Sequence, residues 1–240
     1  MTRQAILIGA ANVKPILPGV NQDLIDIKKY LKSDAGGAWN EDEIIILKDE
    51  SLEIVKRTIA AAKYKDYVFI TCSGHGEHRL SSLTDNTVMY LNEKDTIQIN
   101  EINPQNKRHL VIVDVCRTLV REVNRQTALY ESGMNHFINK SYIDYRKVFE
   151  NAVMQTTEGR IVVYSCDINQ TAGDDGKGGV FTQELLKSHN NFRPNGNSYA
   201  IVNIEQAFIV AKQKTYEKNA PQTAVINAGR RRDYFPFAII

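Results

Sequence analysis

Two residues able to do nucleophilic chemistry each stand just past a short apolar run. Residues 67–72 (YVFITC) lead into Ser73-Gly74-His75-Gly76, and residues 110–114 (LVIVD) lead into Val115-Cys116-Arg117. A thiolate attacks carbonyl carbon readily, and an imidazole close by can take the thiol proton and later return it to a leaving amine. His75 and Cys116 lie 41 residues apart, so only the fold can join them. Runs of five or six β-branched residues bounded by turn signals have the pattern of buried strands in a parallel sheet. The chain between the two runs is long enough for the crossover that parallel neighbours require. Side chains just beyond the carboxyl ends of such strands face the crevice where open α/β sheets bind ligands. His75 is therefore the candidate base and Cys116 the candidate nucleophile, against the plainer readings of a satisfied histidine and a buried structural cysteine. Gly76 is small enough to let a backbone N–H approach a substrate carbonyl, whereas Gly74 could serve only a tight turn. Ser73 either hydrogen-bonds near the pair or is a surface turn serine.

Several further elements must position these residues. The pattern predicts strands over 3–10, 44–47, 67–72, 110–114, 161–164 and 222–227. A helix with Leu24, Ile27 and Leu31 on one face is capped by Asn21 or Asp23 and closed at Gly36-Gly37. Further helices are predicted from Ser51, over 142–154, 181–187 and 204–216. Residues 77–106 show little periodicity beyond a short hairpin near 88–91 and a helical turn within 97–102. Residues 118–141 form a polar loop, and loops of that length in compact domains are usually functional or disordered. The run 173–179 (GDDGKGG) reads as a flexible, solvated loop. The apolar tail 234–238 is expected to pack on the body. No internal repeat or low-complexity linker is present. The fold class expected is α/β, a mostly parallel six-stranded sheet with helices on both faces, in a single domain over 1–240.

Composition narrows the function classes. A 42% apolar and 24% charged chain is ordinary for a globular protein, and a net charge of +2 gives no footprint for nucleic acid. Arg230-Arg231-Arg232 reads as a solvated turn. The opening run 5–9 is too short for a signal core or a membrane span, and Met1-Thr2 leave no room for a pro-domain before the first strand. Three cysteines without metal-site spacing fit a reducing cytoplasm, with no nucleic-acid or membrane partner expected. Gly9 opens no G-x-G-x-x-G array, so no nucleotide cradle is visible.

Taken in order, the motifs resemble the caspase and metacaspase clan of cysteine peptidases, most closely the prokaryotic metacaspase-like members. They are residues 17–31 (LPGVNQDLIDIKKYL), the SGHG at 73–76, the D-x-C at 114–116, residues 160–174 (RIVVYSCDINQTAGD) and residues 179–186 (GVFTQELL). The first is a partial match, with Val20 where the G-C-x-N-D pattern has its cysteine. The resemblance implies a caspase-like three-layer sandwich and a thiol protease acting on protein or peptide substrates. It places the oxyanion hole at the N–H groups of Gly76 and Cys116. Caspases that cut after aspartate carry Gln two places before the nucleophile. Here that place holds Asp114, as in metacaspases, where it pairs with the aspartate matched by Asp23 to receive a substrate Arg or Lys. A carboxylate pair suits a guanidinium bidentately. The alternatives are a helix cap for Asp23 and an ion pair with Arg117 for Asp114. Ser73, Ser165 and Asp167 are assigned to the same cleft.

Calcium is held by aspartates in many metacaspases. Asp85 and Asp95 lie in the right region, but no paired pattern is clear, so no cofactor is expected and calcium activation stays open. Arg121, Arg125 and Lys140 are candidate self-cleavage points. The function implied is an Arg/Lys-directed endopeptidase of a bacterial defence or cell-death pathway, awaiting an activating partner or ligand. A catalytically silent binding module of the same fold, or a Cys-dependent hydrolase of a non-peptide substrate, remains the alternative.

Overall fold

A computed structural model describes residues 1–80, 85–119, 143–196 and 198–240, with Asp85 known in backbone only. The candidate cleavage points Arg121, Arg125 and Lys140 lie outside the described residues, as does most of the 118–141 loop.

The apolar runs become strands because they can bury both faces. β1 (Arg3–Ala10) and β3 (Tyr67–Gly74) are buried throughout. Period-2 alternation sends Ala5, Leu7, Tyr67 and Phe69 to one core, and Ile6, Ile8, Val68 and Ile70 to the other. After β1 the chain forms α1 (Pro18–Lys32), β2 (Ile44–Lys48) and α2 (Leu52–Ala61), the last capped by Ser51 Oγ on the Ile54 N–H. β4 (Gly76–Leu80), β5 (Asp85–Tyr90) and β6 (Thr96–Gln98) follow β3. Then come β7 (Arg108–Val115), α3 (Tyr145–Gln155), β8 (Gly159–Tyr164) and α4 (Val180–Lys187). β9 (Ile201–Asn203), α5 (Ile204–Lys218), β10 (Val225–Asn227) and β11 (Pro236–Ile239) complete the order.

The central sheet runs β10-β8-β7-β3-β1-β2, six strands, all parallel except β10 against β8. α1, α3, α4 and α5 cover one face through Leu24, Phe149, Phe181 and Phe208. α2 covers part of the other through Val55 and Ile59, and the antiparallel sheet β4-β5-β6 covers more of it through Met89 and Ile97. This small sheet extends the hairpin expected from sequence. The tail packs as expected: β11 pairs with β9, and Tyr30 Oη donates to the Phe237 carbonyl at 2.9 Å. α1 departs from expectation. It starts at Pro18 with Leu17 at its cap, so neither Asn21 nor Asp23 caps it.

Candidate active site

β3 and β7 are parallel neighbours in register, Ser73 opposite Asp114 and Gly74 opposite Val115. One step further along stand His75 and Cys116, on strands about 4.8 Å apart. Alternation gives Ser73, His75, Asp114 and Cys116 one parity, that of the face covered by α1 and α4. The two turns are also stitched together beyond the strands. The His78 N–H donates to the Thr118 carbonyl at 2.9 Å. A Cβ built on Gly76 would stand 2.5 Å from Val115 Cγ2 and 2.8 Å from the Cys116 carbonyl oxygen. Only glycine permits that approach.

His75 is buried, and its Nε2 lies 2.5 Å from the Pro15 carbonyl oxygen. A carbonyl only accepts, so Nε2 carries the proton and Nδ1 is left as the basic atom. The group that orients the ring is therefore a backbone carbonyl, which has no signature in side-chain type. A cavity of about 310 Å³, lined by Val13, Lys14, Pro15, His75, Tyr90 and Glu93, opens beside this ring. Cys116 is half-buried, with Sγ 3.8 Å from the Ala172 carbonyl. The neighbouring Cys166 is wholly buried, and desolvation, then Cys116 and Asp114, push its thiol up to about 12.

Asp23 and Asp114 meet behind this pair, although they come from α1 and β7. Asp23 Oδ2 accepts from Ser73 Oγ at 2.7 Å, and its carboxylate accepts the Gly179 N–H at 3.0 and 3.1 Å. Asp114 Oδ2 accepts the Thr182 N–H at 3.1 Å and Thr182 Oγ1 at 2.6 Å. Gly179 is the cap position of α4 and brings no side chain, so Asp114 satisfies a buried first-turn donor that has no partner within the helix. A side chain on Gly179 would collide with Asp114 and crowd Asp23. Burial, and then each carboxylate's acidic neighbours, raise the pKa of both acids, so the pair holds a proton well above the usual carboxylate range. Ser73 is thus a buried partner of Asp23 and not a surface turn serine.

The remaining candidates divide. Ser165 is fully buried beside Asp114 and favours its ionised form. Asp167 is exposed, and its carboxylate accepts from the Ile168 N–H at 2.7 Å and faces Arg117 at 4.0 Å. Asp174 does not lie in a freely solvated loop. It packs against Gly19 at the start of α1, where a Cβ would strike its carboxylate, and burial raises its pKa while nearby His75 lowers it.

The Asp114–Arg117 ion pair weighed from sequence does not form. Arg117 is buried, with Nε 2.9 Å from Thr87 Oγ1, a terminal nitrogen 3.2 Å from the Cys166 carbonyl, and its guanidinium 4.1 Å above the Tyr164 ring. The Thr87 hydroxyl accepts from Arg117 and shares a hydrogen bond of 3.1 Å with His78 Nδ1. The residue after Cys116 is thereby tied to the strand after His75. These contacts span 30 and 49 residues, and no local pattern announced them.

Asp95 accepts the Leu52 N–H at the start of α2 and holds Asn92. Among the described residues no group of three or more His, Cys, Asp or Glu is gathered as for a metal.

The family profile of the caspase domain, Peptidase C14, matches residues 2–233. The chain belongs to the caspase-domain family. Caspase-1 from Spodoptera frugiperda aligns over 95% of this chain and 86% of its own, at 12% identity and a TM-score of 0.59. Protein GSU0716 from Geobacter sulfurreducens aligns over 95% of this chain and 93% of its own, at 14% identity and a TM-score of 0.57. These likenesses establish the fold of this caspase domain, including the six-stranded sheet and the five α-helices among the described residues. No curated protein matches the sequence. Family membership makes cysteine-peptidase hydrolysis of protein substrates the general activity, and no described helix is long and apolar enough to cross a membrane.

Proposed function

We propose that this caspase domain is a cysteine endopeptidase that cuts protein chains after Arg or Lys, using His75 and Cys116. The observation that carries the specificity is the meeting of Asp23 and Asp114 one rung behind the nucleophile, with Ser73 holding the first. His75 Nδ1 takes the Cys116 proton, and Sγ attacks the scissile carbonyl carbon. The N–H groups of Gly76 and Cys116 receive the oxyanion. The tetrahedral species collapses, His75 protonates the leaving amine, and water, deprotonated by the same ring, hydrolyses the thioester. A substrate guanidinium or ammonium displaces the Gly179 N–H and draws the shared proton off the acid pair, exchanging a neutral contact for a charge-assisted one. Ser165 supports Asp114 from behind, while exposed Asp167 contributes at the rim.

Three thiols without disulfides suit a reducing cytoplasm. The engaged acid pair supports the need for an activating partner or ligand, in keeping with a bacterial defence or cell-death role. It also favours one rival, a catalytically silent binding module of the same fold.

The test is a fluorogenic peptide panel with Arg, Lys or Asp before the scissile bond. Turnover after Arg and Lys is expected, falling by at least about a thousandfold in Cys116→Ala. Asp114→Asn should lower kcat/KM for the basic peptides by about ten- to a hundredfold. Turnover after Asp would keep the dyad and overthrow the pocket. No turnover with any peptide, with or without added calcium, would favour the binding module.

A further inference from the structure

β2 is the outermost strand of the central sheet, and among the described residues no strand pairs with its outer edge. Its row of N–H and C=O groups on that side is available to another extended chain. Ile44 turns into the core, but Ile46, two residues on and of the same parity, is 41% exposed. α1 lies over β1 and leaves this position open, and Ile25 on the outer side of the helix is 58% exposed. Between helix and edge lies a groove of about 800 Å³. Ile25 and Ile46 give it an apolar floor, and Lys28, Lys29, Lys32 and Lys48 rim it. Among the described residues the only acid paired with this rim is Glu41, shared by Lys28 and Lys32, so positive charge is in excess there.

We propose that this groove is a docking site for an extended, acidic protein segment that adds to β2 as a seventh strand, alternating apolar and Asp/Glu side chains. The backbone supplies the ladder. The acids, of the parity that faces the helix, meet the ammonium groups while their methylenes lie over Ile25 and Ile46, and the apolar residues of the other parity cover Ile45, 36% exposed, on the opposite face. Charge complementarity selects this occupant over a second copy of the chain. Two β2 edges brought together across a twofold axis would set one lysine rim against the other. A concave groove beside an unpaired strand also suits a peptide better than a flat anionic lipid surface, whose headgroups cannot complete a ladder. The groove lies at β2, three strands along the sheet from β7, and its lining includes neither Asp23 nor Asp114.

The test uses a fluorescently labelled, end-blocked peptide of alternating valine and glutamate, with fluorescence anisotropy as the readout. Binding is expected to weaken as salt screens the charges. Lys29→Glu/Lys48→Glu, both at exposed positions, should weaken it at least about tenfold with unchanged circular dichroism. The same peptide N-methylated at alternate residues should not bind, and the wild-type complex should slow amide exchange in residues 44–48. No binding by the parent peptide would overturn the proposal. So would equal binding by the N-methylated peptide or by a valine–lysine peptide. Charge-dependent capture on phosphatidylserine vesicles without peptide binding would reassign the patch to a membrane surface.

Discussion

His75 owes its orientation to the Pro15 carbonyl, and Asp23 owes its proton to its burial; both effects come from position and not from residue type. The second has a consequence for stability. The folded state raises the Asp23 pKa to about 8, from an unfolded value near about 4, so it binds the proton more tightly than the unfolded chain does. The resulting stabilisation is complete below the unfolded value and is lost as pH rises through the folded one. Thermal melting should therefore show the native protein losing stability between about pH 5 and about pH 8, with Asp23→Asn much flatter over that range. A variant as steep as the native protein would mean that Asp23 does not hold the proton. Gly76 offers a second residue-scale test. Gly76→Ala forces a methyl into Val115 and the Cys116 carbonyl, at a cost of about 1–3 kcal/mol. Peptide turnover should fall by more than that stability loss explains, because the displaced group carries the nucleophile; stopped assays beside chemical denaturation would separate the two.

At the scale of elements, the parts legible in sequence were those whose signals were local. β1 and β3 announced themselves as unbroken apolar runs, and α2 by Ser51 ahead of its first turn. The β4–β6 sheet was only half visible, because Glu77-His78-Arg79 carries little alternation and its pairing is settled by contact with the core beneath. The start of α1 was misplaced because Asn21 and Asp23 look like caps, whereas Asp23 is spent on Ser73 and Gly179. Of the candidate site, His75, Cys116, Asp23 and Asp114 were expected from sequence and the fold brings them together, but their clamps left no sequence signal. Arg117 is the clearest of these. Arg117→Ala should destabilise the fold by about 2–4 kcal/mol in denaturant titration, since it removes a buried charge that holds Thr87 and the Cys166 carbonyl. Arg117→Lys should recover only part of this, lacking the planar fork that stacks on Tyr164.

On the scale of the whole molecule, a sheet buried on both faces provides a rigid rim, and the proposed chemistry lies where β3 and β7 end on it. The acids from α1 and β7 converge only because α4 starts directly above them. That convergence links the fold to the proposed specificity, and active-site labelling tests it most directly. The protein would be treated with peptidyl-arginine and peptidyl-aspartate electrophiles of equal warhead reactivity, and the adducts mapped by mass spectrometry. The expected result is a Cys116 adduct from the arginine reagent, largely abolished in Asp114→Asn, with little labelling by the aspartate reagent. Preferential labelling by the aspartate reagent, or an adduct on Cys72 or Cys166 in place of Cys116, would contradict it.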